Sequence, residues 1–419
     1  MKKATIGLPQ VVAFYVGAVL GSGILILPGL AAETSGPASL LAWMFMSLLG
    51  MPMALVMGLL SAKYPDSGGV SYFVAKAFSP QLGSLVGWFF LLSVVAGAPV
   101  LALTGSGYLC ASIGLDNSWR LILAIAILFV GIIANYAGVK ITGRLQISVV
   151  LTTIAILAVT IMGSVPNIEP ANFMPFMPYG WQSVGHSMSL IFWCFIGWEA
   201  VSHISADFGN PERDAIIGTI IADIVISIFY FLTAFVVVGT GSFGQGVSEV
   251  SLIQIINISF GKYSALIAGI AALFVCVAPA IAYIGAASRL ACSLGMNGHA
   301  PKQFSIVSNK YQSPLGGLVF LSGCFTLLLI IYSSGMMSIS TLIQMPNATF
   351  ILTYIGGSAS GIMLLKNNKF GLIVSTVSLL LTVTTFIFVR WAVLYPVIIT
   401  FLWFCFNIMS KTRRSKSQQ

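Results

Sequence analysis

Residues 192–207 read FWCFIGWEAVSHISAD, an apolar helix candidate interrupted by Gly197, with Glu199 at the depth where hydrocarbon is expected to surround it. A carboxylate at the bilayer centre costs about 2.5–3.5 kcal/mol even on the lenient insertion scale, so such a charge marks a candidate functional site. A second stretch, GAVLGSGILILPG at 17–29, is interrupted in a comparable way, with Gly17, Gly21, Ser22 and Gly23 close together. Glycine lets a backbone unwind or approach a neighbouring helix closely. A tight packing face is the competing reading of that cluster. We read the two interruptions as facing each other.

The surrounding composition fixes the class. Of 419 residues, 58% are apolar and 7% are charged, whereas soluble domains carry about 25% charged residues. An integral membrane protein is expected. With about 20 apolar residues needed per spanning helix, twelve segments qualify, at about 9–32, 38–60, 82–112, 119–137, 145–163, 181–206, 215–240, 263–288, 315–333, 339–365, 371–389 and 391–409. These runs lack the alternating ten-residue pattern of a barrel. If the N-terminus is cytoplasmic, all but Arg120, Lys262 and Arg390 of the 19 basic residues fall in cytoplasmic segments, as the positive-inside bias requires. Both termini are therefore expected inside a cytoplasmic (inner) membrane. The net charge of +9 follows from topology and anionic lipid, not from nucleic acid. The apolar run after Met1-Lys2-Lys3 exceeds the 7–15 residues of a signal h-region, so no cleavage is expected. The six cysteines lack CxxC spacing and read as small packing residues, with no metal or cofactor implied.

Internal order adds an architecture. The third span carries Ala98-Pro99-Val100-Leu101-Ala102-Leu103-Thr104-Gly105, and the eighth carries Ala278-Pro279-Ala280-Ile281-Ala282-Tyr283-Ile284-Gly285. Both read A-P-x-x-A-x-x-G, although small residues are common enough in membrane helices for coincidence to compete. The two interrupted helices, spans one and six, share the same offset of five. An odd offset inverts the second set of five relative to the first, and interrupted helices at matched positions of inverted repeats point to a substrate site between them. The expected fold is all-α, with repeats over 1–165 and 175–365, peripheral helices over 366–410 and a basic tail over 411–419.

An unwound membrane helix exposes N–H groups at one half and C=O groups at the other, about half an elementary charge at each end. That pair matches a zwitterion. Amides around Ser22, Gly23 and Ile24, with the Ser22 hydroxyl, suit a carboxylate, and carbonyls near Phe195 and Ile196 suit an ammonium. Gly21-Ser22-Gly23-Ile24 with Pro28-Gly29 resembles the broken first helix of the amino acid, polyamine and organocation (APC) transporter superfamily. Residues 195–200 resemble its broken sixth helix, and Ser288-Arg289-Leu290 through Gly298 and Pro301 its eighth. The string Phe192-Trp193-Cys194-Phe195, with Asn210-Pro211-Glu212-Arg213-Asp214, is similar to the bacterial efflux branch that exports methionine, leucine, isoleucine and valine. The resemblance implies a LeuT-like 5+5 core with broken helices 1 and 6 and secondary transport by alternating access. It also implies that Gly21, Ser22 and Gly23 bind the substrate carboxylate, that Phe195, Ile196 and Gly197 meet its amino group or side chain, and that Trp193 contacts substrate and gates occlusion. An interface tryptophan is the alternative for Trp193. Trp193, Ile196 and Trp198 surround the break without a basic or second acidic partner, so a hydrophobic side chain is expected.

Coupling departs from the pattern of some relatives, whose fifth-helix lysine aligns with Thr153 here. Two intramembrane acids, Glu199 and Asp223, are the candidate proton carriers, with sodium as the other candidate ion. Each has a structural alternative: Glu199 as partner of the unwound backbone or His203, Asp223 as partner of a polar group. An enzyme would need a catalytic cluster, and only Glu199, His203 and Asp207 come close, at i, i+4, i+8. No GxxxxGK[ST] segment occurs, so ATP hydrolysis is not expected. The expected function is a secondary transporter exporting small zwitterions, with import or exchange as the runner-up and an enzyme, channel or sensor behind it. The sequence sets no oligomeric state.

Overall fold

A computed structural model describes residues 7–64, 69–138, 143–198, 210–244 and 246–416. All regular structure among them is helical. We number the helices α1 (Leu8–Val19), α2 (Gly23–Ser35), α3 (Ser39–Lys63), α4 (Gly69–Ala77), α5 (Pro80–Ile113), α6 (Asn117–Tyr136), α7 (Gly143–Ser164), α8 (Gly180–Ile191), α9 (Pro211–Gly239), α10 (Ser251–Phe260), α11 (Lys262–Met296), α12 (Leu315–Ser333), α13 (Ile339–Leu364), α14 (Lys369–Ile387) and α15 (Leu394–Lys416).

Helix limits follow from local chemistry. Ser79 accepts from the Leu82 amide ahead of Pro80 at the start of α5, and left-handed Gly114 (φ +69°) ends it. Asn210 caps α9 by accepting from the Arg213 amide before Pro211, and Ser338 and Asn368 do the same for α13 and α14. A side chain accepting from a first-turn amide satisfies a donor that has no partner within its own helix.

Among the described residues, nine helical segments are long and apolar enough to cross a membrane. The difference from the twelve expected has identifiable causes. The first span is broken, and its second half runs on into α3 as one segment, Gly23–Lys63. The sixth is broken at 192–198 and continues into residues outside the described set. The tenth, α13, is 26 residues long but rich in Ser, Thr and Gly, with Gln344 and Asn347 besides. Phe129, Leu327, Leu380 and Phe401 are each about 60% exposed, an apolar outer surface that suits lipid and not water.

The core lies where α5 meets α11. Of the most apolar window in Pro80–Ile113, 78% is buried, against 17% in Arg390–Ile408, so α5 is central and α15 peripheral. The two A-P-x-x-A-x-x-G helices are thus neighbours. Gly105 faces Cys276 so closely that a Cβ would sit 2.8 Å from the Cys276 Cβ. In a membrane, where lipid tails are as apolar as leucine, this approach of small residues holds helices together.

Candidate substrate site between two interrupted helices

The first interruption separates α1 from α2. Leu20 leaves helical geometry (φ −73°, ψ 70°), and the Gly21 amide turns back to the Val19 carbonyl at 2.7 Å. The helix restarts at Gly23. The Leu25 amide donates to the Ser22 carbonyl at 3.1 Å, the Gly23 and Ile24 amides precede the helix's own acceptors, and the dipole places positive charge at this end. The Ser22 side chain faces the cavity between the breaks.

The second interruption follows α8. Residues 192–195 tighten into a 3-10 turn, Ile196 is extended (φ −87°, ψ 146°), and Gly197 adopts φ +124°, a conformation that favours glycine. The freed backbone groups find side chains. Asn347 Nδ2 donates to the Ser189 and Leu190 carbonyls, each at 2.9 Å. The Gly197 amide donates to the Tyr354 hydroxyl at 3.3 Å. In hydrocarbon an unsatisfied backbone group costs several kcal/mol, so irregular backbone survives only with partners of this kind.

The two interruptions meet. A Cβ on Gly23 would lie 2.8 Å from Trp193 Cδ1 and 2.9 Å from Cys194 Sγ, while one on Gly197 would collide with the Ala18 carbonyl. Tyr230 of α9 joins them: its hydroxyl lies 2.8 Å from the Val19 carbonyl and 3.0 Å from the Cys194 carbonyl. Beyond the breaks, α2 and α8 are held together by Ser35 and Ser187, whose hydroxyls are 2.5 Å apart.

A cavity of about 370 Å³ opens between the breaks, within the usual range for a small-molecule pocket. Its other walls include Phe90 and Leu101 of α5, Pro279 and Tyr283 of α11, and Phe350 of α13. None of its described lining residues is charged. The Trp193 indole occupies the space that Gly23 and Gly97 leave open and meets Phe350 edge-on at 6.4 Å. Phe350 in turn meets Phe90 at 6.0 Å. Two opposed helix ends and aromatic walls can bind a small zwitterion with an apolar side chain.

Of the nine residues expected at substrate, Gly21, Ser22, Gly23, Trp193 and Ile196 line this cavity. Ile24, Phe195 and Trp198 have no exposed surface and stand behind the wall, off the cavity lining. Phe195 packs on Tyr230 at 5.4 Å and Trp198 on Tyr15 at 5.9 Å. Gly197 is likewise off the lining, pressed against α1. Asp223 lines a different crevice, between α3, α9 and α14. Glu199, His203 and Asp207 lie outside the described residues. Thr153 is buried and donates to the Val149 carbonyl of its own helix at 2.9 Å.

Sequence reasoning missed Tyr230, Asn347 and Tyr354. Asn347 carries a signal, an amide beside Pro346 deep within a span, and a polar group at that depth marks a site. Tyr230 and Tyr354 sit in ordinary apolar-aromatic runs and carry none.

Apolar helical segments long enough to cross a membrane and a cavity between two interrupted helices define a multi-pass membrane protein with a small-molecule pocket, the architecture expected of a permease. The chain belongs to the amino acid permease family, which it matches over residues 6–417, within the APC superfamily. It is 32% identical over 391 residues to the uncharacterized amino acid permease YecA of Bacillus subtilis (strain 168), covering 93% of this chain and 92% of that protein. It is 30% identical over 403 residues to the L-methionine/branched-chain amino acid exporter YjeH of Escherichia coli (strain K12), covering 94% of each. The branched-chain amino acid permease BcaP of Bacillus subtilis (strain 168) is 24% identical over 322 residues, 71% of this chain and 68% of that protein.

Proposed function

We propose that this permease exports hydrophobic L-amino acids (methionine, leucine, isoleucine and valine) by alternating access, coupled to protons. The observation that carries the reading is the cavity itself: opposed helix ends for the α-carboxylate and α-ammonium, aromatic and aliphatic walls, and no charged side chain among the described lining residues. Gly21, Ser22 and Gly23 take the carboxylate and Ile196 with its neighbouring backbone faces the ammonium. Trp193 closes over the side chain. A charged amino-acid side chain would enter without a partner, at the cost of burying an unpaired ion.

Twelve spans arranged as 5+5 inverted repeats, with both termini cytoplasmic, accommodate this reading. The matched Pro99 and Pro279 helices flank the cavity, and the distribution of basic residues supports the orientation. Export is favoured by similarity to YjeH over nearly the whole of both chains. Import or exchange is the second reading, favoured by the likeness to BcaP. Counterflow in proteoliposomes with a panel of labelled amino acids, with and without a pH gradient, tests the proposal. Leucine and methionine should exchange faster than arginine or glutamate, and the opposite order would overturn the substrate assignment.

A further inference from the structure

A second polar feature lies behind the sixth-helix interruption, away from the amino-acid cavity. Asp223 of α9 is 3% exposed, and its Oδ1 has no hydrogen-bond partner. The hydroxyls of Ser47, on α3, and Ser227, one turn further along α9, are also buried and unpartnered. All three residues line a crevice of about 610 Å³ between α3, α9 and α14. Its rim is apolar: Leu48, Ile228 and Ile373 are 64%, 53% and 63% exposed on the surface that faces lipid.

No counter-charge reaches this carboxyl among the described residues. α3 and α14 carry one charged residue each, Lys63 and Lys369, near their ends. Lys63 donates to the Leu364 carbonyl, and Lys369 makes no ion pair. α1 carries no charge, α2 carries Glu33, and Glu212, Arg213 and Asp214 sit about 15 Å back along α9 at helical rise. Among the described residues, the other titratable groups packed near this stretch of α9 are the phenols of Tyr15 and Tyr230 and the Cys194 thiol, which lose protons far less readily than a carboxyl. An ionised carboxylate without a partner costs several kcal/mol in such surroundings. This arrangement therefore favours the neutral acid, with the Ser47 and Ser227 hydroxyls lining the same crevice. A hard cation would want about six oxygens; Asp223, Ser47 and Ser227 supply four, and the helix carbonyls around them are committed to their own ladders.

The crevice also touches the sixth-helix interruption. A Cβ on Gly50 of α3 would lie 2.7 Å from Asp223 Oδ1 and 2.9 Å from Phe195 Cδ1, so the carboxyl and the ring of the 3-10 turn flank one point of backbone. Displacement of Phe195 opens a path to Asp223. We propose that Asp223, with Ser47 and Ser227, is the proton-binding site of this permease, separate from the amino-acid cavity and gated by Phe195. Its proton passes to water when the sixth-helix interruption moves. This deepens the reading of the chain as a proton-coupled transporter and rests on it.

The test uses the full-length protein in proteoliposomes, as wild type, Asp223→Asn and Asp223→Glu. Each is assayed for leucine counterflow without a gradient, for leucine accumulation under a pH gradient or a sodium gradient, and for modification of residue 223 by dicyclohexylcarbodiimide, read by mass spectrometry. This apolar reagent attacks protonated carboxyls. Asp223→Asn should keep counterflow within about threefold and lose pH-driven accumulation at least about tenfold, since only the coupled step needs the proton. Asp223→Glu should restore accumulation, and wild-type labelling should fall as pH rises. Four results would overturn the proposal: pH-driven accumulation that survives in Asp223→Asn, sodium-driven accumulation that this variant abolishes, loss of counterflow together with accumulation, or no labelling at low pH. A wild type that exchanges no amino acid would instead remove the transport reading, and the labelling would still report on the carboxyl.

Discussion

The Tyr230 hydroxyl has one hydrogen and two acceptors within reach, the Val19 carbonyl at 2.8 Å and the Cys194 carbonyl at 3.0 Å. One side chain thus registers the position of one interruption against the other. Tyr230→Phe keeps the ring packing and removes about 1 kcal/mol of net hydrogen bonding, with a further penalty for a buried carbonyl left bare. A several-fold rise in KM for leucine is expected in counterflow, with little change in thermal unfolding. The glycines of the first interruption should separate in the same assay. At Gly23 an added Cβ meets Trp193 at 2.8 Å, whereas at Gly21 the nearest atom is the Val19 oxygen at 3.8 Å. Gly23→Ala should lower the transport rate at least about tenfold, on the scale of a misplaced site group, and Gly21→Ala should lower it much less. Equal losses would show that crowding against Trp193 is not the cause. Gly23 and Ser22 were legible in the sequence because a glycine cluster has few uses inside an apolar span. Tyr230 was not, since its role depends on a contact 211 residues away with Val19.

The interruptions themselves were legible as elements, and so was their meeting, because two glycine-marked breaks inside apolar spans, at the positions an inverted repeat would match, have few other uses. The sequence did not show which residues face the cavity. Phe195 and Trp198 looked like walls of the pocket, yet the 3-10 turn and the left-handed Gly197 rotate both into the packed shell. The same shell explains how the turn at 248–250 is anchored. Arg120 of α6 pairs with Glu249 at 2.6 Å and donates from Nε to the Leu103 carbonyl of α5 at 3.0 Å. A Cβ on Gly29 of α2 would overlap the Ser248 carbonyl, so that turn lies directly on the second half of the broken helix. Removing one partner of a buried pair strands the other charge, at about 3–5 kcal/mol when desolvation is complete. Glu249 is 28% exposed, so a smaller loss applies to Arg120, which stays buried in Glu249→Ala. That variant should unfold at a lower temperature and raise the rate at which a cysteine placed at Ala32 reacts with a polar maleimide. An unchanged reaction rate would mean that the pair does not hold the turn over α2.

At the scale of the whole molecule, hydropathy read the class correctly because 58% apolar residues leave no other solvent than lipid for the outer surface. Span counting was less direct: a helix broken at its middle no longer presents a continuous apolar segment, and a polar one such as α13 survives only because its neighbours bury it. Coupling also belongs at this scale, since under the proposal a proton at Asp223 would act on the cavity through α3, α9 and Phe195. Under the proposed function, backbone at two helix ends binds the charged groups of the amino acid while the walls bind its side chain. Competition against labelled leucine in counterflow tests it most directly, using unlabelled leucine, leucinol, which lacks the carboxylate, and 4-methylpentanoate, which lacks the ammonium. Leucine should compete, and each analogue should compete at least about a hundredfold more weakly, the loss expected when about 3 kcal/mol of charge-assisted hydrogen bonding disappears. If either analogue competed as well as leucine, the interruptions would not be binding the zwitterion.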